Sequence, residues 1–215
     1  MDAPCGDGWL GEALKGSGVA LDGACLWEFP RENNGYRNVI EQDLNTPMPG
    51  TQQYDAVVCC EAIHLLLSPG CAVASFAANL RPGGVVIITT PNTLYMRSRL
   101  QFFLRGFHSG FRPGIGKKPG KDYITYFPFT FGLLHQVLNN SGYGNITLHE
   151  VNETKPKRWV EHLLAFPGLL YYGMRRRKAK TSEEARFWDQ ARSRQSIHGR
   201  WLVVSATYGV SRAPS

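Results

Sequence analysis

The chain contains 215 residues and has a mass of 24.0 kDa, which suits one α/β domain, or one domain with a modest appendage, rather than two full domains. Hydrophobic residues account for 43% of the sequence and charged residues for 19%, a balance that is ordinary for a globular protein and excludes a largely disordered chain. The net charge of +7 favours an anionic partner such as nucleic acid, a phosphorylated metabolite or a membrane face, but selects none of them.

The cysteines and the apolar segments indicate the cellular compartment of the protein. All five cysteines lie between Cys5 and Cys71, with no CxxC pair and no signal peptide ahead of them, so we expect a reduced, cytoplasmic protein and no metal site. The longest apolar stretch, residues 163–174, is too short to span a bilayer and contains Pro167 and Gly168.

Short apolar runs rich in Val and Ile alternate with segments of helical period, a pattern typical of strands joined by crossover helices into a parallel sheet. The predicted strands are 19–25, 38–42, 54–60, 85–90, 145–151 and 200–210, and the predicted helices are 9–16, 70–80, 91–107, 129–141 and 182–194. Because its apolar run is continuous, strand 54–60 is expected to be central and buried. The glycine-rich, basic loop 110–122 is predicted to be mobile.

The opening sequence DAPCGDG, residues 2–8, resembles an anion-binding turn. Gly6 and Gly8 would let backbone N–H groups face a ligand where the following helix begins, and that end of a helix carries partial positive charge. Taken alone, the same pattern also fits any tight turn between a strand and a helix.

Four segments together carry a family resemblance: DAPCGDG (2–8), QDL (42–44), YDAVVCCEAI (54–63) and NLRPGGVVIITTPN (79–92). In this order and spacing the chain resembles the class I S-adenosylmethionine-dependent methyltransferases over about residues 2–150. The resemblance implies an α/β, Rossmann-like, doubly wound sheet that is mostly parallel with an antiparallel last strand. It also implies a single domain over 1–215, with a basic amphipathic insertion at 155–180, and S-adenosyl-L-methionine as the cofactor.

The resemblance also implies which residues bind the cofactor. The opening loop would wrap its amino-acid and ribose parts, Asp43 would accept from the adenine amino group, and residues 61–63 would form the floor near the methionine part. The implied cofactor-binding residues are Asp2, Ala3, Pro4, Cys5, Gly6, Gly8, Cys25, Asp43, Leu44, Glu61, Ala62 and Ile63. For each acidic residue the alternative is a solvated loop carboxylate.

The sequence departs from the family at two structural positions. The family's first strand lies in the middle of the sheet, but only Met1 precedes Asp2, so we expect that strand to be missing or truncated here. Either the protein starts upstream, or the neighbouring strands lose backbone partners and a cavity opens. The acid that grips the ribose hydroxyls falls at Cys25, whose thiol is a poor acceptor; Asp22 or Glu28 could replace it after a local shift.

Two histidines are candidate bases. His64, just after the fourth family strand, could deprotonate a hydroxyl acceptor, or could be a packed histidine at a helix start. His108, near the predicted mobile loop, is the second candidate and could equally be a surface histidine. Tyr95, Arg97 and Arg99 follow the fifth family strand, where an arginine would suit a phosphorylated or carboxylated acceptor.

These observations lead to two functional hypotheses. The first is an S-adenosylmethionine-dependent methyltransferase that acts on a hydroxyl of a small-molecule or glycan or lipid-linked acceptor. The second is a weakly active or inactive relative that serves as a partner subunit. Segment 155–180 has basic ends around an apolar middle, which fits either peripheral contact with the inner face of a membrane or a lid over the substrate cleft. Nucleic-acid binding is disfavoured because no base-stacking motif interrupts the basic residues.

Overall fold

The computed structural model describes residues 1–26, 34–111, 124–152 and 159–209. The strands are β1 (Leu21–Cys25), β2 (Tyr36–Glu41), β3 (Tyr54–Cys60), β4 (Leu80–Pro91), β5 (Tyr143–His149) and β6 (Trp201–Tyr208). The helices are α1 (Trp9–Leu14), α2 (Pro69–Asn79), α3 (Met96–Arg105), α4 (Phe131–Asn140), α5 (Trp159–Arg177), α6 (Ser182–Ala191) and α7 (Arg194–His198), with a 3₁₀ turn at Ile63–Leu65.

The strands form two ladders that residues 1–3 join. β1 pairs in parallel with β2, and β3 pairs in parallel with β4. β6 lies between β4 and β5 and runs antiparallel to both. Asp2 bridges to β1 on one side and to β3 on the other, so the spatial order is β2, β1, residues 1–3, β3, β4, β6 and β5. The predicted mostly parallel sheet with an antiparallel last strand is confirmed.

Three residues, rather than Met1 alone, occupy the central position of the sheet. The amide of Asp2 donates to the carbonyl of Asp22 at 2.8 Å, and the amide of Ala3 donates to the carbonyl of Val58 at 2.8 Å. The amide of Val58 donates in turn to the carbonyl of Met1 at 2.9 Å. The expectation that the neighbouring strands lose their backbone partners is therefore wrong at these residues, because the short segment 1–3 satisfies both.

The core lies between the sheet and helices α2 and α4. Val73, Phe76 and Ala77 of α2 are buried, as the helical period of the sequence predicts. They join buried side chains of β4, where Val86 and Ile88 alternate with partly exposed neighbours. In β3, Val57 and Cys59 are fully buried and their neighbours partly so, in keeping with a strand that lies inside the sheet.

The structure corrects two element boundaries. Predicted helix 182–194 is interrupted after α6, because the hydroxyl of Ser193 accepts from the amide of Ser196 at 3.2 Å and starts α7 as a new helix. Predicted helix 91–107 begins only at Met96, since Asn92 and Thr93 hold the end of β4 through side-chain hydrogen bonds. The predicted mobile loop lies outside the described residues beyond Phe111.

Candidate functional site

The carboxyl ends of β1, β2, β3 and β4 meet at one edge of the sheet, and the opening loop continues from residues 1–3 at the same edge. Open α/β sheets bind ligands at this edge. We call this region the crevice and define it by residues 4–8, 25, 41–44, 60–64 and 89–92. It contains every residue that the sequence assigns to the cofactor except Asp2 and Ala3, which lie in the sheet beneath it.

The loop Pro4–Gly8 is fixed to the sheet at both of its ends. The amide of Cys5 donates to the carbonyl of Ala24 at 3.0 Å, and the amide of Gly8 donates to the carbonyl of Cys5 at 2.9 Å. Gly6 lies between them with φ +51°, and no atom lies within 4 Å of where a β-carbon would stand. The backbone at Gly6 is therefore open toward its surroundings, whereas helix α1, which follows, has only six residues.

The side chain of Asp2 is buried beneath the loop and is held by a tyrosine that the sequence did not single out. The hydroxyl of Tyr36 donates to Oδ2 of Asp2 at 2.6 Å and accepts from the amide of Gly11 in α1 at 3.3 Å. Burial raises the pKa of Asp2 to about 6, against the lowering effect of the Tyr36 hydrogen bond and of the terminal ammonium group. Tyr36 thus connects the central segment of the sheet with α1.

Cys25 does not provide a free acceptor at the predicted ribose position. Its thiol is buried and is in hydrogen-bonding contact with the thiol of Cys5. Burial raises the pKa of both thiols, so both remain protonated at neutral pH. A protonated, buried thiol does not accept strongly from a diol.

Neither of the two acids suggested as replacements for Cys25 is shown to bind the ribose hydroxyls. Asp22 accepts a bidentate pair from Arg37, at 3.1 and 2.7 Å, and a third bond from Tyr54 at 3.2 Å. Burial acts to raise the pKa of Asp22, but the hydrogen bonds from Arg37 and Tyr54 outweigh it and hold the pKa below its usual value. Asp22 is thereby committed to a structural ion pair, and Glu28 lies outside the described residues.

Glu41 is a candidate that the sequence analysis missed. It ends β2, pairs in register with Cys25, is exposed, and its charge contributes to the raised pKa of the Cys25 thiol. Parallel pairing places this carboxylate next to the position where the family carries its ribose acid. Knowledge of the β1–β2 register would have identified it, but the sequence alone does not supply that register.

Asp43 is half-buried, and Asn45 orients its carboxylate. Oδ1 of Asp43 accepts from the amide of Asn45 at 2.8 Å and from its side-chain nitrogen at 2.9 Å. Oδ1 of Asn45 in turn accepts from the amides of Leu67 and Ser68 at 2.7 and 3.1 Å. Asn45 therefore joins the loop after β2 to the loop after the 3₁₀ turn. Leu44, which is predicted to lie beside the adenine ring, is buried.

The segment after β3 contains a strained residue. Glu61 is exposed and adopts φ +52°, a conformation that costs a non-glycine residue about 1 kcal/mol or more. Its amide is held by both the carbonyl and the hydroxyl of Thr89 at 3.0 Å each. Ala62 and Ile63, which follow, are buried and anchor the turn. Strain that the surroundings hold in place is typical of ligand sites, so Glu61 stays a predicted cofactor residue.

His64 is buried in the 3₁₀ turn that follows β3. Its Nδ1 lies 3.3 Å from the hydroxyl of Thr90 at the end of β4, and its carbonyl accepts from the amides of Tyr126 and Phe127. Burial lowers the pKa of His64 to about 4, so the imidazole is neutral at pH 7. Within the described part of the chain, Nε2 has no hydrogen-bond partner.

The second candidate base, His108, lies outside the residues that define the crevice. His108 follows α3, a helix of ten residues that spans about 15 Å, and stacks on Phe102 with ring centroids 4.4 Å apart. Its Nδ1 lies 3.0 Å from the hydroxyl of Ser98. These contacts fit a packed histidine better than a base in the crevice. At the start of α3, Arg97 is exposed, whereas Arg99 is half-buried against α5.

Comparison with known families decides the class of the protein. Residues 1–113 match the sequence model of a family described as "Methyltransferase domain", and this region includes β1 to β4 and the opening loop. The chain belongs to this methyltransferase family. The match covers the crevice and α3 but not α5, α6 or β6.

The chain matches curated relatives over part of their length. A ubiquinone biosynthesis O-methyltransferase of Dechloromonas aromatica is 29% identical over 103 residues, which are 43% of this chain and 44% of the relative. The chain thus spans less than half the length of the curated relatives it matches.

The fold of almost the whole chain matches that of solved structures. An S-adenosylmethionine-dependent methyltransferase from Mesorhizobium loti superposes with a TM-score of 0.52 at 15% identity, covering 95% of this chain and 88% of that one. A putative enzyme of the same kind from Listeria monocytogenes has a TM-score of 0.52 at 14% identity, covering 96% and 89%. The predicted class I fold and the predicted methyltransferase family are confirmed. Methyl transfer by the whole protein, S-adenosylmethionine as its cofactor and the roles of individual site residues stay predictions.

Proposed function

We propose that this methyltransferase transfers the methyl group of S-adenosylmethionine to a hydroxyl of a small-molecule or glycan or lipid-linked acceptor. The observation that carries the proposal is the crevice itself. At the carboxyl edge of a class I sheet, the open backbone of Gly6 and the oriented carboxylate of Asp43 occur together. These are the two features that the amino-acid end and the adenine end of the cofactor require.

The crevice residues fit the cofactor at most positions. Loop Pro4–Gly8 would hold the amino-acid end, Asp43 would accept from the adenine amino group, and Glu61 would border the methionine part. Cys25 does not fit the ribose diol, because its thiol is buried against Cys5, so we assign the diol to Glu41. When bound, the cofactor supplies an electrophilic methyl group.

An oxygen acceptor is supported by the names of the curated relatives, which are O-methyltransferases. A hydroxyl loses its proton as the new bond to carbon forms, so a base helps the reaction. We assign this role to His64, whose neutral imidazole can accept a proton from the acceptor. Because its pKa is about 4, His64 is a weak base, which favours an acidic hydroxyl such as a phenol over an alcohol.

The first test is calorimetric titration of the whole chain with S-adenosylhomocysteine. We expect saturable binding, and we expect Asp43→Asn to raise Kd about tenfold, since the amide replaces one acceptor by a donor. Asp189→Asn is the matched control: that carboxylate binds Arg176 on α5 at 2.8 Å, outside the crevice, and its loss leaves Kd unchanged. No heat at millimolar ligand would contradict the proposal.

A second candidate function, a partner subunit without catalysis, is favoured by one observation. Cys25 replaces the ribose acid and its thiol is occupied by Cys5, which weakens cofactor binding. Transfer of a labelled methyl group to phenolic acceptors separates the two. Labelled ether product that His64→Gln reduces 100-fold or more, with Kd for S-adenosylhomocysteine unchanged, supports the enzyme. Binding without transfer to any acceptor supports the subunit.

The proposal includes a cytoplasmic location. All five cysteines are described and none forms a disulfide, and the thiols of Cys5 and Cys25 remain unlinked although they are in contact. Neighbouring thiols that stay unlinked are typical of proteins in a reducing compartment, which supports a cytoplasmic location.

A further inference from the structure

Helices α3 and α5 contact each other, and each exposes apolar side chains that lie outside the residues assigned to the crevice. On each helix several of the exposed apolar side chains recur at helical spacing and form one stripe, and Phe102 on α3 and Leu164 and Tyr171 on α5 are exposed beside it. The stripe of α3 consists of Leu100, Phe103 and Leu104 and is followed by Phe107 just beyond the end of the helix; the stripe of α5 consists of Trp159, Leu163, Phe166, Leu170 and Met174. We call these nine residues the apolar surface.

The opposite face of α5 packs on the rest of the protein, so α5 is not a detached helix. Ala165 is buried together with Met96 of α3 and Ile197 of α7. Tyr172 approaches Trp188 of α6 with ring centroids 6.0 Å apart. Because one face of α5 is fixed by these contacts, the other face is held outward. The side chain of Phe103 is 85% exposed and that of Leu163 is 61% exposed, although both are large and apolar.

Basic residues continue both stripes. Arg97 precedes Leu100 and Leu104 on the same face of α3, while Arg177 and Lys178 follow Met174 by three and four residues. All three basic side chains are exposed, and within the described residues none forms an ion pair. Glu161 is the one acidic residue of the two helices. The apolar surface is thus bordered by exposed positive charge.

We infer that the apolar surface docks on a membrane that contains anionic lipid. In this arrangement the apolar side chains enter the boundary between headgroups and acyl chains, and the basic residues contact the lipid phosphates. These are the two interactions that hold an interfacial helix on a membrane. A second copy of the chain is disfavoured, because a symmetric contact of this surface with itself would bring positive side chains together. No helix among the described ranges is both long and apolar enough to cross a bilayer, which leaves docking on the surface of the membrane.

The apolar surface begins next to the crevice. α3 starts five residues after the end of β4. The side chain of Asn92, at that strand end, donates to the carbonyls of Ser196 and Gly199 around α7 at 2.7 and 2.8 Å. Docking would therefore bring the acceptor side of the crevice close to lipid. This aspect rests on the proposed function, but docking itself does not require methyl transfer.

The test is flotation of the whole chain with vesicles of phosphatidylcholine alone or with 30 mol% phosphatidylglycerol, a composition chosen as roughly that of an anionic membrane. We expect binding to the anionic vesicles that weakens as salt is raised. Phe103→Ser and Leu163→Ser each reduce the partition coefficient about tenfold, since each removes a large apolar side chain from the lipid. Val19→Ser is the matched control: Val19 is 54% exposed, lies before β1 at the opposite edge of the sheet, and its loss leaves binding unchanged.

The second part of the test examines the contribution of positive charge and compares two exposed lysines. Lys178→Glu is expected to reduce binding to anionic vesicles about tenfold or more, whereas Lys15→Glu, after α1, has no such effect. Absence of binding by the unaltered chain, or equal binding by Phe103→Ser, would overturn the inference. So would a dimer that Phe103→Ser converts to monomer in light scattering, because the surface would then serve self-association. Titration with S-adenosylhomocysteine on the same samples shows separately whether the methyltransferase site is intact.

Discussion

The hydroxyl of Tyr36 donates a hydrogen bond of 2.6 Å to the buried carboxylate of Asp2, at the centre of the sheet. The same oxygen accepts from the amide of Gly11 at 3.3 Å, so one side chain links β2, the central segment and α1. These three elements frame the opening loop of the crevice. The position of that loop therefore depends on a residue that is not among the implied cofactor contacts.

Tyr36→Phe tests this link with a minimal change. Removal of the hydroxyl leaves the Asp2 carboxylate and the Gly11 amide without their shared partner in a buried place. We expect the free energy of unfolding to fall by about 1–3 kcal/mol, measured by urea denaturation at pH 7. Tyr171→Phe, at an exposed tyrosine that makes ring contacts but no hydrogen bond within the described residues, is the control and changes stability little. Equal effects of the two changes would contradict a role for the Tyr36 hydroxyl.

The close approach of α1 to β2 gives a second prediction. A β-carbon at Gly11 would overlap the carbonyl oxygen of Asn34 and the ring of Tyr36. We expect Gly11→Ala to destabilise the protein by about 1–3 kcal/mol, because the helix must move away. Gly70→Ala, in the first turn of α2, meets no atom within 4 Å and should be neutral or stabilising. Thermal denaturation of both variants measures the difference, and a stable Gly11→Ala would show that the helix is loosely attached.

Asp2 and His64 are expected to give opposite pH dependences of stability. The pKa of Asp2 is raised from 3.8 to about 6, so between these values the folded state binds more protons and the free energy of unfolding falls as pH rises. The pKa of His64 is lowered from 6.5 to about 4, so the unfolded state binds more protons and the free energy of unfolding rises with pH. In the unaltered protein the two effects largely cancel.

Two variants separate these effects. Relative to the unaltered protein, His64→Gln lacks the His64 contribution, so its free energy of unfolding should rise less with pH, by up to about 3 kcal/mol between pH 4 and pH 6.5. Asp2→Asn lacks the Asp2 contribution, so its free energy of unfolding should rise more with pH than that of the unaltered protein, by up to about 3 kcal/mol between pH 4 and pH 6. Urea denaturation of the three proteins at four pH values provides the curves. Deviations from the unaltered protein that have the same sign in both variants would contradict the opposite effects of the two groups.

The sequence predicted the sheet better than the site because the two depend on contacts of different range. Val-rich and Ile-rich runs identify β3 and β4 locally, since a strand inside a sheet must be apolar whatever its neighbours are. The contact between Tyr36 and Asp2 joins residues 34 positions apart and leaves no local pattern. Glu41 is similar, because its place beside Cys25 follows only from the register of two paired strands.

The departures from expectation have local causes. Predicted helix 182–194 breaks because Ser193 caps a new helix, and serine is common enough in helices that its capping role is visible only in the structure. Cys25 was recognised as unusual from its position, but its pairing with the thiol of Cys5 required the loop and β1 to be seen together. Sequence patterns thus located the crevice, whereas the hydrogen bonds within it had to come from the structure.

Asn45 provides the prediction that bears most directly on cofactor binding. Its side chain donates to Oδ1 of Asp43 at 2.9 Å and accepts from the amides of Leu67 and Ser68, so it fixes the carboxylate without belonging to the implied cofactor contacts. We expect Asn45→Ala to raise Kd for S-adenosylhomocysteine about tenfold, because the carboxylate keeps the hydrogen bond from the backbone amide of residue 45 but loses the one from the side chain and the link to the loop at Leu67 and Ser68. Asn140→Ala, at the exposed end of α4, is the matched control.

A double-mutant cycle decides whether Asn45 acts through Asp43. If it does, Asn45→Ala combined with Asp43→Asn weakens binding little more than Asp43→Asn alone, since the carboxylate that Asn45 orients is already gone. Calorimetry on the four proteins gives the coupling energy, which we expect to be about 1 kcal/mol. Additive losses would mean that Asn45 affects the crevice by another route, through the loop at Leu67 and Ser68. In that case a second substitution in that loop, rather than at Asp43, would show the coupling.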